Sequence, residues 1–142
     1  MRNYQDFQSQ FQQLSEYFKT RENIVAVYLF GSFGTALQTP LSDLDLAVLF
    51  DKKVSLMEEL RVAGEISSIV KMEKVDLVNL NTASIQIQHE VLYQGEKIYD
   101  GRPEKAQEFV ENVLEIYHDY EFILRKYRED FREGLAGDYL NG

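Results

Sequence analysis

Two aspartates, Asp43 and Asp45, flank Leu44 at the start of an apolar run that continues to Phe50. A third, Asp76, lies inside another such run, VDLVNL, from Val75 to Leu80. In a strand, residues two apart leave the same face, so Asp43 and Asp45 stand side by side. Two bare carboxylates that close repel each other, and an acid in an apolar stretch is costly unless paired. Mg²⁺, a hard cation with oxygen ligands, relieves both penalties. If the strand of Asp76 lies beside that of Asp43 and Asp45, three carboxylates converge. Such a cluster can hold two Mg²⁺ ions, one by an attacking oxygen and one by a triphosphate. Asp76 is then placed to help deprotonate an acceptor hydroxyl.

A phosphate seat precedes the acids. Gly31 and Ser32 follow the apolar run Ile24 to Phe30, where backbone N–H groups and a hydroxyl at a strand-to-helix turn can bind phosphate oxygens. Gly31 permits a close approach that a side chain would block. Taken singly, each signal is weak: Asp-x-Asp occurs on many solvated strand ends, Gly-Ser is an ordinary turn, and Asp76 alone is an edge-strand acid. Their joint spacing between apolar flanks points to nucleotidyl transfer, in which a nucleoside triphosphate gives its monophosphate to a hydroxyl and releases pyrophosphate.

Composition narrows the partners. The 142 residues suit one domain of ordinary size. With no cysteine and two histidines, a thiolate metal site is excluded and a Ser-His-Asp triad is hard to build. The formal charge of −9 repels a phosphate backbone, so direct nucleic-acid binding is not expected. No window approaches a membrane span and the polar N-terminus has no signal-peptide core, so the expected location is cytoplasmic.

Elements must position these residues. Tyr4, Phe7, Phe11, Leu14 and Phe18 keep helical spacing, and the N-terminal helix is expected over residues 1–22. Ile24 to Phe30 reads as a buried central strand, and Asp43 to Phe50 as a second strand with Leu44, Leu46, Val48 and Phe50 on the face opposite the acids. A short helical turn is expected over Thr35 to Gln38, before Pro40. Ser55 with Glu58 forms a capping-box pattern opening a helix whose stripe is Leu56, Leu60, Ala63, Ile66 and Val70. Val75 to Leu80 is the third strand. Asn81 or Thr82 caps the next helix, Ala83 to Tyr93, and Lys97 to Tyr99 is extended. Pro103 opens a long last helix to residue 133, with 134–142 as a frayed tail. The expectation is a single domain over 1–142, its catalytic core spanning 24–100, with a small sheet covered by helices.

The segment Gly31-Ser32, nine residues, then Ser42-Asp43-Leu44-Asp45-Leu46 resembles the signature of the polymerase-β-type nucleotidyltransferase superfamily. SDLDLAVLF, VDLVNL and HEVLYQGEKIYD are similar to its minimal nucleotidyltransferase (MNT) branch. The resemblance implies an α+β fold with a small mixed sheet flanked by helices. It implies Gly31 and Ser32 at the triphosphate, Asp43 and Asp45 on the metals, and Asp76 as the third acid. Many relatives carry a second glycine where this chain has Ala36. The MNT branch is similar to antitoxins of two-gene toxin–antitoxin pairs. The resemblance therefore implies Mg²⁺-dependent transfer of AMP from ATP to a tyrosine hydroxyl on a HEPN-domain toxin encoded by an adjacent gene. An acidic protein suits a basic RNA-cleaving partner. Two competing readings remain: an antitoxin that blocks its toxin by occlusion alone, and a small-molecule transferase of the aminoglycoside type, which generally needs a larger second domain.

Other polar groups carry less. His89 and His118 read as solvated or capping residues. Tyr117, Tyr120, Tyr127 and Phe131 read as core or a partner interface. Arg125, Lys126, Arg128 and Arg132, interleaved with Glu129, Asp130 and Glu133, read as a solvated helix face.

Overall fold

The computed structural model describes residues 8–31 and 44–141, with 135–141 as backbone only. In chain order the elements are α1 (Gln8–Thr20), β1 (Ile24–Phe30), β2 (Leu44–Phe50), α2 (Leu56–Val70), β3 (Val75–Asn79), α3 (Ile85–Gln94), β4 (Glu96–Asp100) and α4 (Pro103–Asn141). Tyr4, Phe7 and the turn expected over Thr35 to Gln38 lie outside the described residues. The strands form one mixed sheet in the order β3-β2-β1-β4. β1 is antiparallel to β2 and β4, while β2 and β3 are parallel, joined by the α2 crossover. This is the α+β, helix-flanked sheet that the sequence implies, and β1, its most apolar strand, is central as expected.

Alternation on β2 sorts the two cores. Leu44, Leu46, Val48 and Phe50 bury one face against Leu14 and Phe18 of α1 and Val62, Ile66 and Val70 of α2. Ala47 and Leu49 bury the other against Val91 of α3 and Ala106 of α4. The β1–β2 register slips between Ile24 and Ala26, and both Val25 and Ala26 join the second core. An extra residue in one strand has this effect, because it breaks the up-down alternation. Each fully buried Leu, Val or Phe contributes about 1.5–3 kcal/mol relative to exposure.

Several helix details differ from expectation. The apolar stripe of α2 is rotated. Val62, Ile66 and Val70 face the sheet, whereas Leu56 and Leu60 are 68% and 57% exposed. Ile66 and Val70 belong to both stripes, and packing selected the one that continues to Val62. Ser55 caps α2 as expected, its Oγ accepting from the Glu58 N–H at 3.1 Å. The Glu58 carboxylate, however, pairs with Arg21 at the end of α1. α3 is capped by Ser84, whose Oγ accepts from the Ile87 N–H at 3.2 Å, and not by Asn81 or Thr82. Asn81 instead serves the sheet: its amide accepts from Phe50 N and donates to Phe50 O, both at 2.8 Å. α4 runs through Gly134 to Asn141, where a tail was expected. Its two interior glycines, Gly134 and Gly137, cost the helix only about 1 kcal/mol each, and no proline follows them.

α1 and α2 are clasped at one edge. Tyr17 donates to Glu65, and Arg21 pairs with Glu58. Burial first, and the bond to Glu65 second, push the Tyr17 hydroxyl well above its ordinary value of 10.0. The folded state therefore holds the Tyr17 proton more tightly than the unfolded chain. Its contribution is complete below pH 10.0 and is lost as pH rises beyond that toward the folded value. Urea unfolding of Tyr17→Phe should show a shallower fall in stability above pH 10 than the wild type. Parallel slopes in the two proteins would reject this assignment.

Candidate functional site

The site begins with the pairing of β2 and β3. Asp45 and Asp76 are Cα partners in their parallel register. With paired strands about 4.8 Å apart, the two carboxylates leave the sheet side by side. Their shared face follows from their neighbours. Leu44, Leu46 and Leu77 pack in the α1/α2 core, while Ala47 and Val78 pack in the α3/α4 core. Asp45 and Asp76 thus point to the α3/α4 side, Asp45 half-buried and Asp76 exposed. On the other flank, Phe30 of β1 is the Cα partner of Asp45 and packs on the same side. The row Asp76, Asp45, Phe30 crosses three strands at one level.

Gly31 completes what is described. Its φ is +83°, a conformation open to glycine and strained for other residues. A Cβ placed there would lie 2.3 Å from Oδ2 of Asp45. The Asp45 carboxylate therefore rests over the bare backbone of Gly31, and the turn and the acid form one structural unit. Asp43, Ser32 and Ala36 lie outside the described residues.

Two adjacent acids at one register repel unless a cation lies between them. Their oxygens, with no nitrogen or sulfur, suit Mg²⁺. The space that a side chain at Gly31 would fill is taken by the Asp45 carboxylate. Among the described residues no group of three acids or histidines is gathered. Asp45 and Asp76 are the two that meet, and the sequence sets Asp43 two positions before Asp45 on the same strand run.

The other polar groups are used differently. His89 is half-buried and does not cap α3. Its ring stacks on Tyr117 of α4 with centroids 3.6 Å apart and planes within 7°. Tyr120 accepts from Gln86 of α3 at 2.6 Å. Arg125 pairs with Glu121 within its own helix at 3.3 Å, consistent with a solvated face. Tyr28, buried on the face that carries Asp45, has no hydrogen-bond partner for its hydroxyl among the described residues, and burial raises its pKa. The sequence reading passed over Phe30. An aromatic at a strand end carries no signal by itself, and only the antiparallel register sets it opposite Asp45. A shallow cleft of about 280 Å³ between Leu49, Phe50 and Asp51 on the sheet side and Lys105, Phe109 and Asn112 of α4 lies at the other end of β2.

Comparisons with known proteins agree with this fold. Residues 12–104 match the family model described as polymerase beta, nucleotidyltransferase. The protein adenylyltransferase MntA of Shewanella oneidensis is 30% identical over 91 residues, a stretch covering 64% of this chain and 64% of that relative, just under two thirds of its length. A solved toxin-antitoxin with AMP-PNP superposes with a TM-score of 0.67 at 25% identity, over 83% of this chain and 96% of the other. The structure of a tri-AMPylated Shewanella oneidensis HEPN toxin in complex with MNT antitoxin matches with a TM-score of 0.61 at 24% identity, over 84% and 97% of the two chains. The last likeness speaks for the fold.

The contact between Gly31 and Asp45 can be measured. Gly31→Ala should lose about 1–2 kcal/mol to backbone strain and a further amount to the clash with the carboxylate. In an Asp45→Ala background the clash portion should vanish. A urea double-mutant cycle with no coupling between the two positions would contradict the contact.

Proposed function

On the premise that the chain belongs to the polymerase β nucleotidyltransferase family, as a minimal nucleotidyltransferase, we propose that it transfers AMP from ATP to a tyrosine hydroxyl of a HEPN-domain toxin and so neutralises it. The observation that carries the reading is the meeting of Asp45 and Asp76 at one register beside Gly31. Three findings support it: a relative named as a protein adenylyltransferase, a similar structure with AMP-PNP, and another whose HEPN toxin is AMPylated. The acidic charge of −9 suits a basic partner, and no described helix is long and apolar enough to cross a membrane, which accords with a cytoplasmic location.

In this reading Asp43, Asp45 and Asp76 hold two Mg²⁺ ions. The ions supply charge neutralisation for the triphosphate and for the attacking oxygen. The remaining steps belong to the protein. Gly31 and Ser32 receive phosphate oxygens on backbone N–H groups and a hydroxyl. Asp45, braced against Gly31, fixes where the α-phosphate lies relative to the strand. Asp76 faces solvent at the sheet's β3 edge, the side from which a protein hydroxyl can enter. It accepts the hydroxyl proton as the oxygen attacks the α-phosphorus. The bond from the α-phosphorus to the bridging oxygen breaks, and pyrophosphate leaves with the electron pair.

The test combines this protein, the HEPN protein from the adjacent gene, ATP and Mg²⁺, followed by intact mass of the partner. Added AMP is expected with the wild type, none with chelator, and none with Asp45→Asn, whose circular dichroism should match the wild type. An unmodified partner that is still neutralised by the wild type would replace this reading with occlusion. Unchanged transfer by Asp45→Asn would remove the metal assignment.

A further inference from the structure

α4 outgrows the domain it packs on. Val113 is its last buried side chain, and Tyr120 makes its last hydrogen bond or ring contact with α3 among the described residues. The helix continues to Asn141, so about 32 Å of it, at 1.5 Å per residue, extends past Tyr120. The family match ends at residue 104, before nearly all of α4. Yet the apolar seam does not stop with the domain. Val113, Tyr117, Tyr120, Leu124, Tyr127 and Phe131 follow one another at alternating steps of four and three. That is the spacing of a coiled-coil seam, which calls for another helix. Beyond α3 the seam has no cover among the described residues: Tyr127 and Phe131 are 67% and 57% exposed, and Ile123 beside them is 66% exposed.

We propose that this segment pairs antiparallel with the same segment of a second copy of the chain. The charges select that occupant. In an antiparallel pair, Leu124 meets the other copy's Tyr127, and Phe131 meets its Tyr120. The flanking positions between these layers are Glu121 of one helix and Arg128 of the other, and two-fold symmetry makes this ion pair twice. The opposite flank sets Ile123 beside Asp130, which adds no attraction, so the ion pairs on the first flank carry the choice. Arg125, already 3.3 Å from Glu121 in its own helix, extends each pair into a three-charge cluster. The next seam position, Gly134, has open space around it. It falls at the level of the other copy's Tyr117, where that copy's α3 already covers the seam. A small residue stands where the pairing would run into the neighbouring domain. Because α4 is already helical, association need not fund helix nucleation.

The experiment uses the full chain alone. Sedimentation equilibrium over a concentration series should give a monomer–dimer equilibrium, and Tyr127→Glu should be monomeric with unchanged circular dichroism. Glu121→Arg and Arg128→Glu should each weaken the dimer about tenfold, equal to about 1.4 kcal/mol. The double variant Glu121→Arg/Arg128→Glu should regain wild-type association. Orientation is read by cross-linking, which is clean because the chain has no cysteine. Leu124→Cys mixed with Tyr127→Cys should form a mixed disulfide dimer in excess of either self-dimer. A wild type that stays monomeric at its solubility limit would overturn the proposal, including where Tyr127→Glu instead loses binding to a toxin. So would a double variant that fails to recover, or preferential self-linking of Leu124→Cys, which marks parallel pairing.

Discussion

β2 is held between two neighbours of opposite sense, and that double pairing fixes everything near the site. Against β1 it runs antiparallel, setting Asp45 opposite Phe30; against β3 it runs parallel, setting Asp45 opposite Asp76. A one-residue slip on either side would turn Leu44, Leu46, Val48 and Phe50 out of the α1/α2 core. The cost of exposing four large side chains is what holds the acids in register. Placing a carboxylate in an apolar strand is therefore tolerable only because its neighbours on that strand are so strongly committed to the other face.

The same economy governs the turn after β1. Asp45 lies over Gly31 because no Cβ stands there. Glycine loses more conformational freedom on folding than other residues, and in return the Asp45 carboxylate packs directly on the turn's backbone. The helices divide the labour around this point. α1 and α2 brace the face opposite the acids, through Phe18, Ile66 and the Arg21–Glu58 pair. α3 and α4 cover part of the face that carries Asp45 and Asp76, and Asp76 is exposed at its edge. Beyond that cover α4 extends an apolar seam with none of the described residues of its own domain packed over it.

Much of the fold was legible in the chain. Strand runs β1 and β2, the strand carrying Asp76, the Ser55 cap and the long last helix all follow from local period and turn chemistry. Less legible was any choice between equivalent faces. Leu56 and Leu60 continue the spacing of Ile66 as well as Val62 does, and nothing in α2 alone says which stripe the sheet accepts. Ser84 and Asn81 are both good cap residues. The structure gives the cap to Ser84 because Asn81 is engaged by the open end of β2. His89 looked solvated because its stacking partner, Tyr117, is 28 positions away.

By itself the sequence determined which residues carry charge within apolar strands, where glycine frees the backbone, and that the face of β2 opposite its acids is apolar. These are local properties, set by side-chain chemistry and a two-residue period. Only the tertiary structure decided that Asp76 pairs with Asp45 and not with a residue one step away, that Phe30 stands across from it, and that the Asp45 carboxylate rests over Gly31. Those facts depend on strand order and register, which are set by how two cores fill at once and not by any one segment.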